Sequence, residues 1–82
     1  MEAIHSEWQI NQKGHLFCSY KFKNFAQALA FAIKVGDCAE SMNHHPRIVV
    51  EWGHCSIELW THEANDVTDK DRALAKLIDQ IQ

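Results

Sequence analysis

Residues 43–62 read NHHPRIVVEWGHCSIELWTH, and the fold turns on how this stretch pairs with itself. Two runs of strand-forming residues, RIVVEW and CSIELWTH, flank Gly53 and His54, which read as a two-residue hairpin loop. In the second run Cys55, Ile57, Leu59 and Thr61 fall on one face, and Ser56, Glu58, Trp60 and His62 on the other. Pairing through that loop sets His62 opposite position 45. A third imidazole then lies beside the adjacent pair His44 and His45 at one end of a sheet. Pro46 marks the end of the preceding helix, because the residue before a proline avoids the α region.

Working outward, FAQALAFAIKVGDCAESMN repeats at helical spacing behind Asn24, a good helix cap. Phe25, Leu29, Ile33 and Gly36 form one stripe, and Phe31, Val35, Cys38 and Met42 a second beside it. So wide an apolar arc predicts that the helix touches more than its own sheet. Upstream, EWQIN, a turn at 12–14 and HLFCSYKF make another hairpin. Leu16, Cys18, Tyr20 and Phe22 share one face of it, and Phe17, Ser19 and Lys21 the other. Downstream, TDKD sets Asp71 three residues after Thr68, a capping box with Asp in place of Glu, and Leu74, Leu77, Ile78 and Ile81 make a core stripe. The order β-β-α-β-β-α predicts an α+β, two-layer sandwich: a four-stranded antiparallel sheet with two helices on one face, forming a single domain over residues 1–82. The other face, with Phe17, Ser19, Lys21, Ser56, Glu58 and Trp60, is expected to be solvated or partly used in assembly.

A net charge of −3 argues against a nucleic-acid partner, which requires a basic face. No apolar run approaches the roughly 18 residues of a membrane span. MEAIHSEW lacks the flank and core of a signal peptide, so a cytoplasmic location is expected. Cys18, Cys38 and Cys55 are odd in number and include no CxxC pair, so they read as free thiols rather than disulfide partners or zinc ligands.

Six histidines are the unusual feature, since imidazole is the one side chain whose ordinary charge change lies near neutral pH. His44, His45 and His62 converging would allow a three-histidine metal site or metal-free acid–base chemistry. Spacings such as HExxH are absent and an adjacent pair is an awkward chelate, so proton transfer is the reading taken, with no metal. The plainer alternative has His45 and His62 merely paired across strands and His44 terminating a helix. His5, His15 and His54 are placed outside the site.

AESMNHHPRIVVEW, followed by LWTHEANDVTDKDRALAKLID, resembles the pterin-4a-carbinolamine dehydratase family (4a-hydroxytetrahydrobiopterin dehydratase). The residues carrying the resemblance are Glu40, His44, His45, Pro46, Trp52, Thr61, His62 and Asp71, and it extends upstream through Trp8 and the Phe22/Phe25 pair. It implies this same fold, usually preceded by an N-terminal helix. It also implies loss of water from a 4a-hydroxytetrahydropterin, giving quinonoid dihydropterin in tetrahydrobiopterin recycling. The pterin is then the substrate and no cofactor is implied. An aromatic amino acid hydroxylase would be a functional partner, and homo-dimers or homo-tetramers are expected. By the resemblance His44 and His62 are the acid–base pair, and His45 orients the pterin or assists as base. Glu40, Pro46, Thr61 and Trp8 are the substrate-binding candidates. Glu40 also fits a role holding an imidazole, and Thr61 fits the core. Trp52 fits a place beside the pterin or, as the reading taken, the core, and for Asp71 helix capping suffices.

Two departures stand out. The family's N-terminal helix is absent or reduced to residues 1–6, and Asp66 occupies a position where glycine is common. The rival readings are a non-catalytic pterin-binding or assembly protein of the same fold, action on another pterin such as one in molybdenum-cofactor metabolism, and a small metal-binding module.

Overall fold

The structure is a computed structural model that describes residues 8–81. The expectations for Glu7, for His5 and for a short helix over 1–6 lie outside the described residues. The chain runs β1 (Gln9–Ile10), β2 (Leu16–Lys21), α1 (Phe25–Met42), β3 (Arg47–Glu51), β4 (His54–Leu59), α2 (Asp69–Gln80). The four strands form one antiparallel sheet in the order β1-β2-β4-β3. The architecture is therefore the β-β-α-β-β-α, α+β arrangement expected from the sequence.

Alternation decides which face of the sheet is covered. Cys18, Tyr20, Cys55, Ile57 and Leu59 are buried, and they share one core with Phe31, Val35 and Ala39 of α1 and with Leu74 and Ile78 of α2. Both helices thus lie on that face. Cys18 and Cys55 are buried, and burial pushes the Cys55 thiol up to about 11, which keeps it un-ionised and unreactive at neutral pH.

The N-terminal caps of both helices follow the sequence closely. Asn24 accepts the Gln27 amide at 2.8 Å, and the Thr68–Asp71 capping box is complete. The C-terminus of α1 is made differently from the expectation. Asn43 takes a left-handed conformation (φ 52, ψ 40) and its amide donates to the Glu40 carbonyl at 3.2 Å. The His44 amide reaches the Ala39 carbonyl at 3.1 Å. These two bonds are a Schellman motif. Asn43 therefore ends the helix three residues before Pro46, which only bars its continuation.

Three further expectations are corrected. The β3–β4 loop is Trp52–Gly53, not Gly53–His54, because Gly53 supplies the positive φ (+75) and His54 is already paired with Glu51. Glu58, rather than Trp60, lies opposite Arg47, and the ladder stops there, so His62 is not paired with His45. Trp52 is 69% exposed in that turn and takes no part in the core. On α1 only the second stripe faces the sheet, while Phe25, Leu29 and Ile33 remain exposed at 45%, 43% and 61%. Gly36 has open space around it, so no close contact within the chain explains it.

Candidate active site

One end of the sheet collects the C-terminus of α1, the start of β3, the segment after β4 and the N-terminus of α2. This follows from the topology: β3 begins where β4 ends, and a tight loop over 61–66 joins β4 to α2. In that loop Thr61 and Asp66 exchange backbone hydrogen bonds of 2.9 and 3.4 Å. Asn65 supplies the left-handed residue (φ 53), which is why Asp66 fits without glycine's freedom.

At this end Asp71 is the hub. It is fully buried, and three donors converge on its carboxylate. His44 Nε2 lies 2.6 Å from Oδ1, while Thr61 Oγ1 (2.8 Å) and the Thr68 amide (2.9 Å) donate to Oδ2. Burial by itself would raise the Asp71 carboxyl. The hydrogen bond from His44, those from the Thr68 amide and Thr61, and the His44 charge outweigh it and hold the carboxyl below the ordinary aspartate value. An ionised carboxylate only accepts, so His44 Nε2 carries the proton in this pair. In the neutral imidazole Nδ1 is then the basic nitrogen, a tautomer fixed as in metal-free acid–base sites. Thr61 spends its single proton on Asp71, so in its 2.7 Å contact with Thr68 the Thr68 hydroxyl donates.

His45 is supported separately. Its Nε2 lies 2.6 Å from Glu40 Oε2, one turn back on α1, and both side chains are well exposed. Pro46 is half-buried between this pair and β3. His62 is exposed at the start of the 62–65 turn, and its ring meets Trp60 at 4.7 Å and 50°. Among the described residues no three His, Cys, Asp or Glu side chains are grouped to hold a metal ion. An open depression of about 630 Å³ lies beside the Thr61–Asp71 network, walled by the 61–66 loop and the start of α2.

The structure thus joins Glu40 to His45, and His44 to Thr61 through Asp71, with His62 next in chain. It does not bring Trp8 to this end. Trp8 donates to Asp79 Oδ1 at 3.2 Å, the oxygen that also accepts the Tyr20 hydroxyl at 2.8 Å. Asp79 lies eight residues along α2 from Asp71, roughly 12 Å away at the helical rise.

Two residues exceed what the sequence suggested. Asp71 was legible as a cap, but its bonds to His44 and Thr61 span 27 and 10 residues and leave no local signal. His15, placed outside the site, sits in a cluster on the open face. Its Nδ1 is 2.6 Å from Glu58 Oε2 and its ring stacks on Trp60 at 4.1 Å and 6°.

Comparison with known proteins gives the family and the fold. The family model described as pterin 4 alpha carbinolamine dehydratase matches residues 1–81. A Rickettsia canadensis protein provisionally named a pterin-4-alpha-carbinolamine dehydratase is 46% identical over 79 residues, covering 96% of this chain and 72% of that one. A crystal structure of a transcriptional coactivator/pterin dehydratase from Brucella melitensis superposes with a TM-score of 0.82 at 31% identity, covering 90% of this chain and 80% of that one. A pterin dehydratase-like protein identified as a RuBisCO assembly factor in the alpha-carboxysome gives 0.71 at 25% identity, covering 94% and 89%. The match runs through the strand ends, the helix end and the loop that carry Glu40, His44, His45, Thr61, His62 and Asp71, and the chain belongs to the pterin 4 alpha carbinolamine dehydratase family.

Proposed function

We propose that this protein dehydrates a 4a-hydroxytetrahydropterin to the quinonoid dihydropterin, as a hydro-lyase that uses imidazoles and needs no metal or cofactor. The observation that supports it best is the pair of 2.6 Å imidazole–carboxylate contacts, His44–Asp71 and His45–Glu40, at the sheet end that also carries His62. In each pair the carboxylate fixes one ring nitrogen and leaves the other for proton transfer.

The reaction asks for two proton transfers. An imidazolium gives a proton to the 4a-hydroxyl, which leaves as water. An imidazole takes the proton from N5, and the C4a–N5 double bond forms. His44 and His62 are the acid–base pair, with His45 orienting the pterin or assisting as base. Glu40 fixes His45, Pro46 shapes the wall beside it, and Thr61 acts through Asp71. Trp8, at the other end of α2, has no role in this arrangement. The substrate is supplied by an aromatic amino acid hydroxylase, in tetrahydrobiopterin recycling in the cytoplasm. Copies of the chain associate through the exposed Phe25, Leu29 and Ile33 stripe of α1.

Replacing His44 or His62 by Ala should cut turnover by about 10²–10⁴-fold, the usual share of one acid or base. Turnover that persists in both variants would remove the reading. A second reading, a non-catalytic assembly protein, is favoured by the likeness to the RuBisCO assembly factor. A folded protein that leaves the spontaneous dehydration rate unchanged would select it.

A further inference from the structure

Three imidazoles stand at this end of the sheet and each is supported by a different group. Asp71 holds His44 and Glu40 holds His45. For the His62 imidazole no hydrogen-bond partner occurs among the described residues, and its ring contact is with Trp60. An exposed imidazole on a turn samples several rotamers unless something packs against it.

Trp60 is itself fixed, and by an unusual device. On β4 and its continuation, Glu58, Trp60 and His62 project to the open face of the sheet, since alternate residues share a face. The β2–β4 register sets Leu16 opposite Leu59, and its continuation sets His15 beside Trp60. The His15 imidazole lies almost parallel to the indole at 4.1 Å. His15 is anchored in turn: its Nδ1 is 2.6 Å from Glu58 Oε2, and its amide donates to Asn11 Oδ1 at 3.0 Å. Glu58 is 5% exposed on a face expected to be solvated. A buried carboxylate is costly unless it is partnered. Here Asn11 Nδ2 donates at 3.0 Å and Arg47 reaches the other oxygen at 3.4 Å, beside the His15 contact. The dehydration as assigned above uses none of Asn11, His15, Glu58 or Trp60, yet they form a connected row ending at His62.

We propose that Trp60, clamped by the His15–Glu58 pair, is a positioning residue that sets the orientation of the His62 imidazole. The inference rests on the proposed dehydration for its functional consequence. Its structural half stands independently, on the ring geometry.

The test uses the full chain with Trp60→Leu, Trp60→Phe and His15→Ala, each shown to be folded by its amide NMR spectrum. In the free protein the His62 ring-proton resonances, assigned by their loss in His62→Gln, should move in Trp60→Leu as the indole ring current is removed. Turnover in Trp60→Leu should fall about tenfold in kcat with KM little changed, the pattern of a misplaced catalytic group. Trp60→Phe should restore most of kcat, and His15→Ala should lower it in the same direction. A rise in KM alone would make Trp60 a substrate-stacking residue and overturn the proposal. Unmoved His62 resonances would overturn it whatever the activity. An inactive wild-type chain whose His62 resonances move in Trp60→Leu supports the positioning and removes the reaction assigned to it.

Discussion

Removing the His44 imidazole takes a donor from a carboxylate that water does not reach. His44→Ala should therefore cost stability as well as activity, by about 1–3 kcal/mol, the usual penalty for stranding a buried polar group. His45→Ala should change stability by less than about 0.5 kcal/mol, because the Glu40–His45 pair is exposed. Denaturant midpoints of the two variants check this, and equal losses would contradict it. The carboxyls of Asp71 and Glu58 make a second prediction. Burial would raise Glu58, but the hydrogen bonds from His15 and Asn11, and the charges of His15 and Lys13, outweigh it and hold it below its ordinary 4.5. A carboxyl lowered in the folded state binds fewer protons there than in the unfolded chain. Its stabilisation is complete above the ordinary value and is lost as pH falls through the lowered folded one. Wild type should therefore lose urea resistance as pH drops below 4.5, and Glu58→Gln should lose less over the same range. Parallel curves would contradict the assignment. Asp71 and Glu58 also show why this scale was only partly legible. Their types and face positions are in the sequence, but their partners lie across the fold.

At the scale of elements, α1 ends through Asn43, and this end fixes the His44 backbone. Asn43→Gly should be neutral or stabilising, since glycine enters the left-handed region freely. Asn43→Ala should cost about 1 kcal/mol, as an L-residue without a short polar side chain is strained there. Thermal unfolding of both variants measures the difference, and equal midpoints would contradict the motif. Gly53→Ala should cost a similar amount or more, since its φ is +75 and an added Cβ would meet the Phe22 carbonyl oxygen at 3.3 Å. The hairpin explains what periodicity can and cannot read. Assigning the loop one residue late moved the pairing by two, which preserves every face. Cys55, Ile57 and Leu59 therefore fell correctly on the core side, while the neighbour expected for His62 was wrong.

For the molecule as a whole, the two layers and their order were legible because each element carries its own period. Which stripe of α1 turns inward was not, since both are apolar and only packing against β3 and β4 selects Phe31 and Val35. The outward stripe leaves Phe25, Leu29 and Ile33 in solvent in the isolated chain. Ile33→Glu should shift the protein to a smaller species in sedimentation without unfolding it, and an unchanged mass would place any association elsewhere. The central claim is dehydration by imidazoles, and its most direct measurement is the rate of quinonoid dihydropterin formation from enzymatically generated 4a-hydroxytetrahydropterin, with chelator present, compared with the spontaneous rate. The account predicts acceleration by the wild-type chain that chelator leaves intact. A rate equal to the spontaneous one from folded protein, or an acceleration abolished by chelator, would contradict it.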